Sequence, residues 1–166
     1  MINLLDKNTS YIIISSFNKE LSKEENDKNL FYLEDSLYLL DYEIEKVGGY
    51  YDGNSEKSIV AYNINKTSDQ LRRDCLWLLE KYNQNCAVIK YKTDSFTKKI
   101  FKDGREKGLK NIEFNPDIAS MSYFYNGLSF SFAETKNYSF LSNKEQLRVG
   151  MIVEYFNGLE WKEKLV

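Results

Sequence analysis

Apolar residues along this chain switch between two periods, and the switches mark the predicted elements. Residues 11–17, Tyr-Ile-Ile-Ile-Ser-Ser-Phe, are β-branched and aromatic without strict alternation, as in a strand buried on both faces. Ser22 and Glu25 form a Ser-x-x-Glu capping box. Leu30, Leu33, Leu37 and Leu40 then recur at helical spacing and predict a helix to about residue 41. Glu43 to Val47 reads as a short strand, Gly48-Gly49 and Asp52-Gly53-Asn54 as loop, and Ser58 to Asn63 as the next strand. Thr67 or Ser68 caps a second helix that carries Leu71, Cys75, Leu78, Leu79 and Tyr82 on one stripe. Cys86 to Tyr91 is a fourth strand.

The order β-α-β-β-α-β is that of the ferredoxin-like plan. The expectation is therefore an α+β fold with a ferredoxin-like unit over about residues 11–91, the strands near 11 and 58 adjacent, and both helices on one face. Asp103-Gly104 and Lys107-Gly108 read as loop. Asn126-Gly127 and Asn157-Gly158 each lie between aromatic-rich alternating runs, the strongest short-range hairpin signal. They predict hairpins near 121–133 and 149–165, with a short helix near 142–148 opened by Ser142 and Glu145. Two hairpins and this helix extend the first unit over about 97–166, and the whole chain of 166 residues suits one domain with halves 1–92 and 93–166.

Composition narrows the chemistry more than the fold. The chain has no histidine, which removes Ser-His and Cys-His nucleophilic pairs and every His-containing metal site. An enzyme would need carboxylates, lysine, tyrosine or cysteine. Twenty-three basic and 25 acidic side chains nearly cancel, so the clustered cations of a general nucleic-acid binder are missing. Nucleic acid is disfavoured as a partner, though a local patch could hide in a balanced total. Apolar runs such as Tyr11 to Ile14 and Cys75 to Leu79 are too short to cross a membrane, and the N-terminus lacks a basic start and a long apolar stretch. The expected location is the cytoplasm, with Cys75 and Cys86 as free thiols. Abundant Lys, Asn, Ile, Tyr and Phe with a single Pro suit A/T-rich codons, hence a low-GC bacterium or a phage or mobile element living in one.

Three sets of residues carry candidate function. Pro116-Asp117 with Glu134-Thr135-Lys136 resembles the PD-(D/E)xK signature of magnesium-dependent nucleases. The resemblance implies Asp117 and Glu134 as metal ligands and Lys136 as the residue placing the attacking water, chemistry that needs no histidine. The competing reading is a solvated strand end. Second, Tyr50-Tyr51-x-Gly53, Glu56-x-Ser58, Tyr11 to Phe17, Glu25-Asn26 with Asn29, and Tyr82-x-Gln84 together resemble, over residues 10–92, an uncharacterised family of small bacterial and phage proteins. Asp41-Tyr42 stands where that pattern has a glycine, and the family has no activity to transfer. Tyr51, Glu56, Ser58 and Gln84 form either a hydrogen-bonded loop tie or a polar small-ligand site.

Third, 13 tyrosines, ten phenylalanines and two tryptophans exceed the needs of a core this size, so some should form a contact patch. Tyr123, Tyr125, Tyr155, Phe156 and Trp161 are the candidates, the last three on the C-terminal hairpin; the competing reading is that these rings fill the space between hairpins and sheet. The leading expectation is a non-enzymatic protein-binding accessory factor of phage or mobile-element type, acting on a host protein, for example as an anti-defence inhibitor. It expects no metal and no cofactor, and leaves the oligomeric state open. The rivals are the nuclease and an RNA-binding ferredoxin-like module that stacks bases on Tyr11, Phe17 and Tyr62.

Overall fold

A computed structural model describes residues 4, 6, 8–51, 54–113, 121–125, 128–134 and 152–165. Ten strands and two helices lie within them. They are β1 (Tyr11–Ser15), α1 (Lys23–Leu39), β2 (Glu43–Tyr51), β3 (Asn54–Tyr62), α2 (Ser68–Lys81) and β4 (Cys86–Lys90). β5 (Lys98–Phe101), β6 (Glu106–Glu113), β7 (Met121–Tyr125), β8 (Leu128–Glu134), β9 (Ile152–Phe156) and β10 (Trp161–Leu165) follow.

The ferredoxin-like expectation is overturned. The strand order β1-β3-β2-β7-β8-β6-β5-β4 closes into an eight-stranded barrel, and β9 and β10 form a separate antiparallel pair. β1 does pair with β3, Ile13 opposite Val60, and with β4, Ile12 opposite Ile89. A ferredoxin-like sheet would stop at β2 and β4. Here β2 pairs onward with β7 through Gly48 to Tyr50, and β4 pairs onward with β5 through Cys86 to Ile89. Free sheet edges are unstable, and pairing them in a closed ring removes them.

Three local readings change with it. Gly48-Gly49 is strand rather than loop, paired with Phe124 and Tyr123 of β7, and the Glu154 carbonyl oxygen lies 1.7 Å from where a Cβ on Gly48 would stand. Only glycine admits a backbone so close. Lys107-Gly108 likewise falls inside β6. The stretch read as loop before it is a turn, with Gly104 at φ 91°, its N–H donating to the Phe101 carbonyl. The Asn157-Gly158 loop holds four residues, since Phe156 pairs with Trp161. Asn157 Oδ1 accepts from the N–H groups of Leu159 and Glu160, and Gly158 takes φ 102°. At the other Asn-Gly, Tyr125 pairs with Leu128 as a two-residue hairpin requires. The helix expected near 142–148 lies outside the described residues.

The chain forms two compact units, residues 1–45 with 58–107 and residues 46–57 with 108–166. In the first, β1 is buried along its whole length, and Leu30, Leu33 and Leu37 of α1 and Leu71, Cys75, Leu78 and Leu79 of α2 are buried with it. Both helices begin with the full reciprocal capping box, Ser22 with Glu25 and Thr67 with Gln70. Both end in a Schellman motif. Asp41 at φ 67° sends its N–H to the Tyr38 carbonyl while Tyr42 N–H reaches Leu37; Asn83 at φ 50° repeats this with Glu80, and Gln84 with Leu79. In the second unit, Ser122 and Ser131 are buried cross-strand partners with hydroxyls 2.6 Å apart, and Glu154 N–H donates to Ser55 Oγ.

Candidate functional site

α1 is apolar on two sides. Leu30, Leu33 and Leu37 face the core, whereas Phe31, Tyr32, Tyr38 and Leu39 are between 47 and 87% exposed. At 100° per residue the four exposed side chains fall within about one third of the helix circumference. Seven residues separate Phe31 from Tyr38 and Tyr32 from Leu39, so the stripe runs along two turns. Phe31 and Tyr32 meet edge to face, 6.3 Å between ring centroids. Asp35 stands in the middle, with Phe31 and Tyr32 one turn before it and Tyr38 and Leu39 one turn after. It is exposed and makes no ion pair or hydrogen bond among the described residues.

Beside the stripe, an open groove of about 540 Å³ is lined by Asn29, Tyr32, Asp35, Leu39, Lys81 and Tyr82, among others. Its floor is a directed chain of hydrogen bonds between the helices. The single hydroxyl hydrogen of Tyr82 goes to the Tyr32 carbonyl, 2.7 Å away. Ser36 Oγ, 2.6 Å from Tyr82 Oη, must therefore donate to it and accept from Lys81 Nζ at 3.0 Å. The Lys81 ammonium also lies 4.8 Å from the centroid of Trp77 and 5.6 Å from that of Tyr82. Trp77 is itself 48% exposed, which extends the aromatic surface onto α2.

The residues singled out from sequence take varied places. Tyr123 is buried, with its ring edge to face with Phe132 and its hydroxyl 3.1 Å from Met121 Sδ, so it serves the core. Phe156 and Trp161 stack edge to face at 5.5 Å and are half-buried, with Lys46 over the first ring and Lys57 over the second. Tyr155 is half-buried on β9, and the side chain of Tyr125 lies outside the description. Of the nuclease-like set only Glu134 is described, paired with Leu109 at the end of β8; Asp117 and Lys136 lie outside the described residues.

In the second set, Ser58 is buried opposite Ser15, while Tyr51 and Glu56 are half-buried. Gln84 Nε2 donates to the carbonyls of Phe17 and Tyr82, a tie between the end of α2 and the segment after β1. Glu25 completes the helix cap, and Asn26 holds the preceding loop through Asn18 and Leu21. For the RNA reading, Tyr11 is fully buried with its hydroxyl on the Leu4 carbonyl, and Tyr62 is half-buried.

The exposed stripe was legible in principle. Phe31, Tyr32, Tyr38 and Leu39 follow the same 3.6-residue period as the core leucines, offset around the helix. Attention to the leucine stripe and to Lys23, Glu24, Asp27, Lys28 and Glu34 makes the outer face look merely solvated. Among the described residues no three acidic or cysteine side chains group as metal ligands, and no helix is long and apolar enough to cross a membrane.

No protein-family model matches this chain, and no curated protein matches it in sequence. The ferredoxin-like description gives way to the barrel, and nothing in the fold or the comparisons supports the phage, anti-defence or inhibitor parts of the expectation.

Proposed function

We propose that this chain is a non-enzymatic protein-binding module that docks a basic amphipathic helix against the outer face of α1, flanked by Trp77 of α2. The single observation behind this reading is the stripe of four large apolar side chains on α1 that the chain's own core leaves in water. Water contact with so much aromatic surface is unfavourable, and a partner that covers it gains about 25 cal/mol per Å² removed from solvent. Aromatic residues also dominate binding hot spots. Charge sets the partner's sign. α1 carries five carboxylates against two lysines, so complementarity favours lysine and arginine on the incoming helix.

The test uses a displayed library of random 16-residue peptides, selected on the intact protein. Enriched peptides should read as amphipathic helices with basic residues. Their affinity should fall at least thirtyfold on the double variant Phe31→Ser/Leu39→Ser, measured by calorimetry on protein whose circular dichroism is unchanged. Enriched peptides that bind parent and double variant equally would remove this face from consideration.

A further inference from the structure

We infer that Asp35 is the specificity-determining residue of this docking face and that its ligand is an arginine of the incoming helix. The inference rests on the docking face proposed above. Any partner that covers Phe31, Tyr32, Tyr38 and Leu39 must also cover Asp35, because those four residues stand one turn before and after it. A carboxylate removed from water without a partner is strongly unfavourable.

Among the described residues nothing neutralises it. Asp35 has no ion pair or hydrogen bond among the described residues. Lys28 lies seven residues back, about 10 Å along the axis. Lys81, across the groove, is engaged by Ser36 and held over the rings of Trp77 and Tyr82. The missing cation therefore has to come with the ligand.

Arginine fits this surface better than lysine. Its planar guanidinium can donate two parallel hydrogen bonds to one carboxylate and still present a flat face to an aromatic ring. Phe31, Tyr32 and Tyr38 offer such rings within one helical turn of Asp35. The half-buried Asn29 amide, in the same groove, can accept a further N–H through its carbonyl oxygen. Lysine, with a compact and strongly hydrated head, gains less from stacking. The arrangement therefore discriminates between two cations of equal charge, not only between charge signs.

The peptides enriched on the parent protein give the test. Aligned by their apolar residues, they should carry one arginine at a fixed register position. Replacing that arginine by lysine should weaken binding several-fold, and by alanine at least tenfold. Asp35→Asn should weaken the arginine peptides at least tenfold and remove the difference between arginine and alanine. Selection repeated on Asp35→Arg should enrich Glu or Asp at the same register. Peptides with no fixed arginine, or arginine peptides that bind Asp35→Asn as tightly as the parent, overturn the inference. If the Phe31→Ser/Leu39→Ser variant still loses binding, the docking face survives and only the role of Asp35 falls. An absence of any enriched peptide overturns both.

Discussion

Two residues show how the smallest change in side chain decides local structure. Gly48 admits the Glu154 carbonyl where a Cβ would collide at 1.7 Å with backbone, which cannot swing aside. Gly48→Ala should therefore destabilise the protein by roughly 1–3 kcal/mol in denaturant unfolding. Gly108→Ala, with nothing within 4 Å of the new methyl, should be neutral or slightly stabilising. Equal effects of the two substitutions would mean that the close approach at Gly48 carries no weight. The cysteines make a second contrast. Cys75 is fully buried, and burial pushes its thiol well above the usual range, while Cys86 is half-exposed. Native protein treated with a thiol reagent at neutral pH should label Cys86 first and Cys75 only on unfolding.

Burial also raises the hydroxyls of Tyr11, Tyr42 and Tyr91, with Asp74 and Glu106 reinforcing the last two. In the unfolded chain these groups ionise near pH 10, whereas the folded protein keeps them neutral to higher pH. Their contribution to stability is therefore complete below about pH 10 and is lost as pH climbs beyond it. Denaturant midpoints should fall above that pH, and ultraviolet titration should show a late group of tyrosinates appearing together with unfolding. Late tyrosinates without loss of structure would contradict this.

At the scale of elements, the sequence announces ends better than neighbours. Both capping boxes are legible because Ser22 and Glu25, or Thr67 and Gln70, satisfy each other's helix-end donors locally. The other ends are legible only with hindsight, since Asp41 and Asn83 occupy the left-handed positions that glycine would fill without penalty. Asp41→Gly keeps the backbone oxygen that accepts from Asn63 Nδ2, so it should stabilise by up to about 1 kcal/mol. Ser22→Ala should cost about 1 kcal/mol. Thermal or denaturant unfolding of the two variants should move in opposite directions. The candidate docking face belongs at this scale too. Its residues were visible in the sequence, but two apolar faces on one helix leave no simple periodic signature of which is outward.

For the molecule as a whole, the positions of the first four strands and both helices were largely legible, and the closure was not. Ile12 to Ile14 and Ile59 to Ala61 announce buried strands wherever they pair. Nothing local at Gly48 to Tyr50 says that Ser122 to Phe124 will lie alongside, because that pairing joins residues far apart in sequence. The same arrangement makes the chain indivisible by a single cut, since residues 46–57 belong with 108–166 while their flanks do not. A fragment ending at residue 107 should therefore lose the sharp near-ultraviolet dichroism and cooperative unfolding of the full chain. A cooperative transition in that fragment would show that the first unit needs nothing beyond it.

Synthesis on the ribosome gives this topology a time axis. β2 is complete once residue 51 has been added, yet its neighbour β7 begins at residue 121. At ~5–20 residues per second, the edge of β2 turned away from β3 waits roughly 4–14 s with its N–H and C=O groups unmatched. Such an edge on a growing polysome meets identical edges on the chains beside it. Slowly translated messages of this protein should depend more on nascent-chain chaperones than fast ones, and the interval between codons 51 and 121 is where that dependence should concentrate.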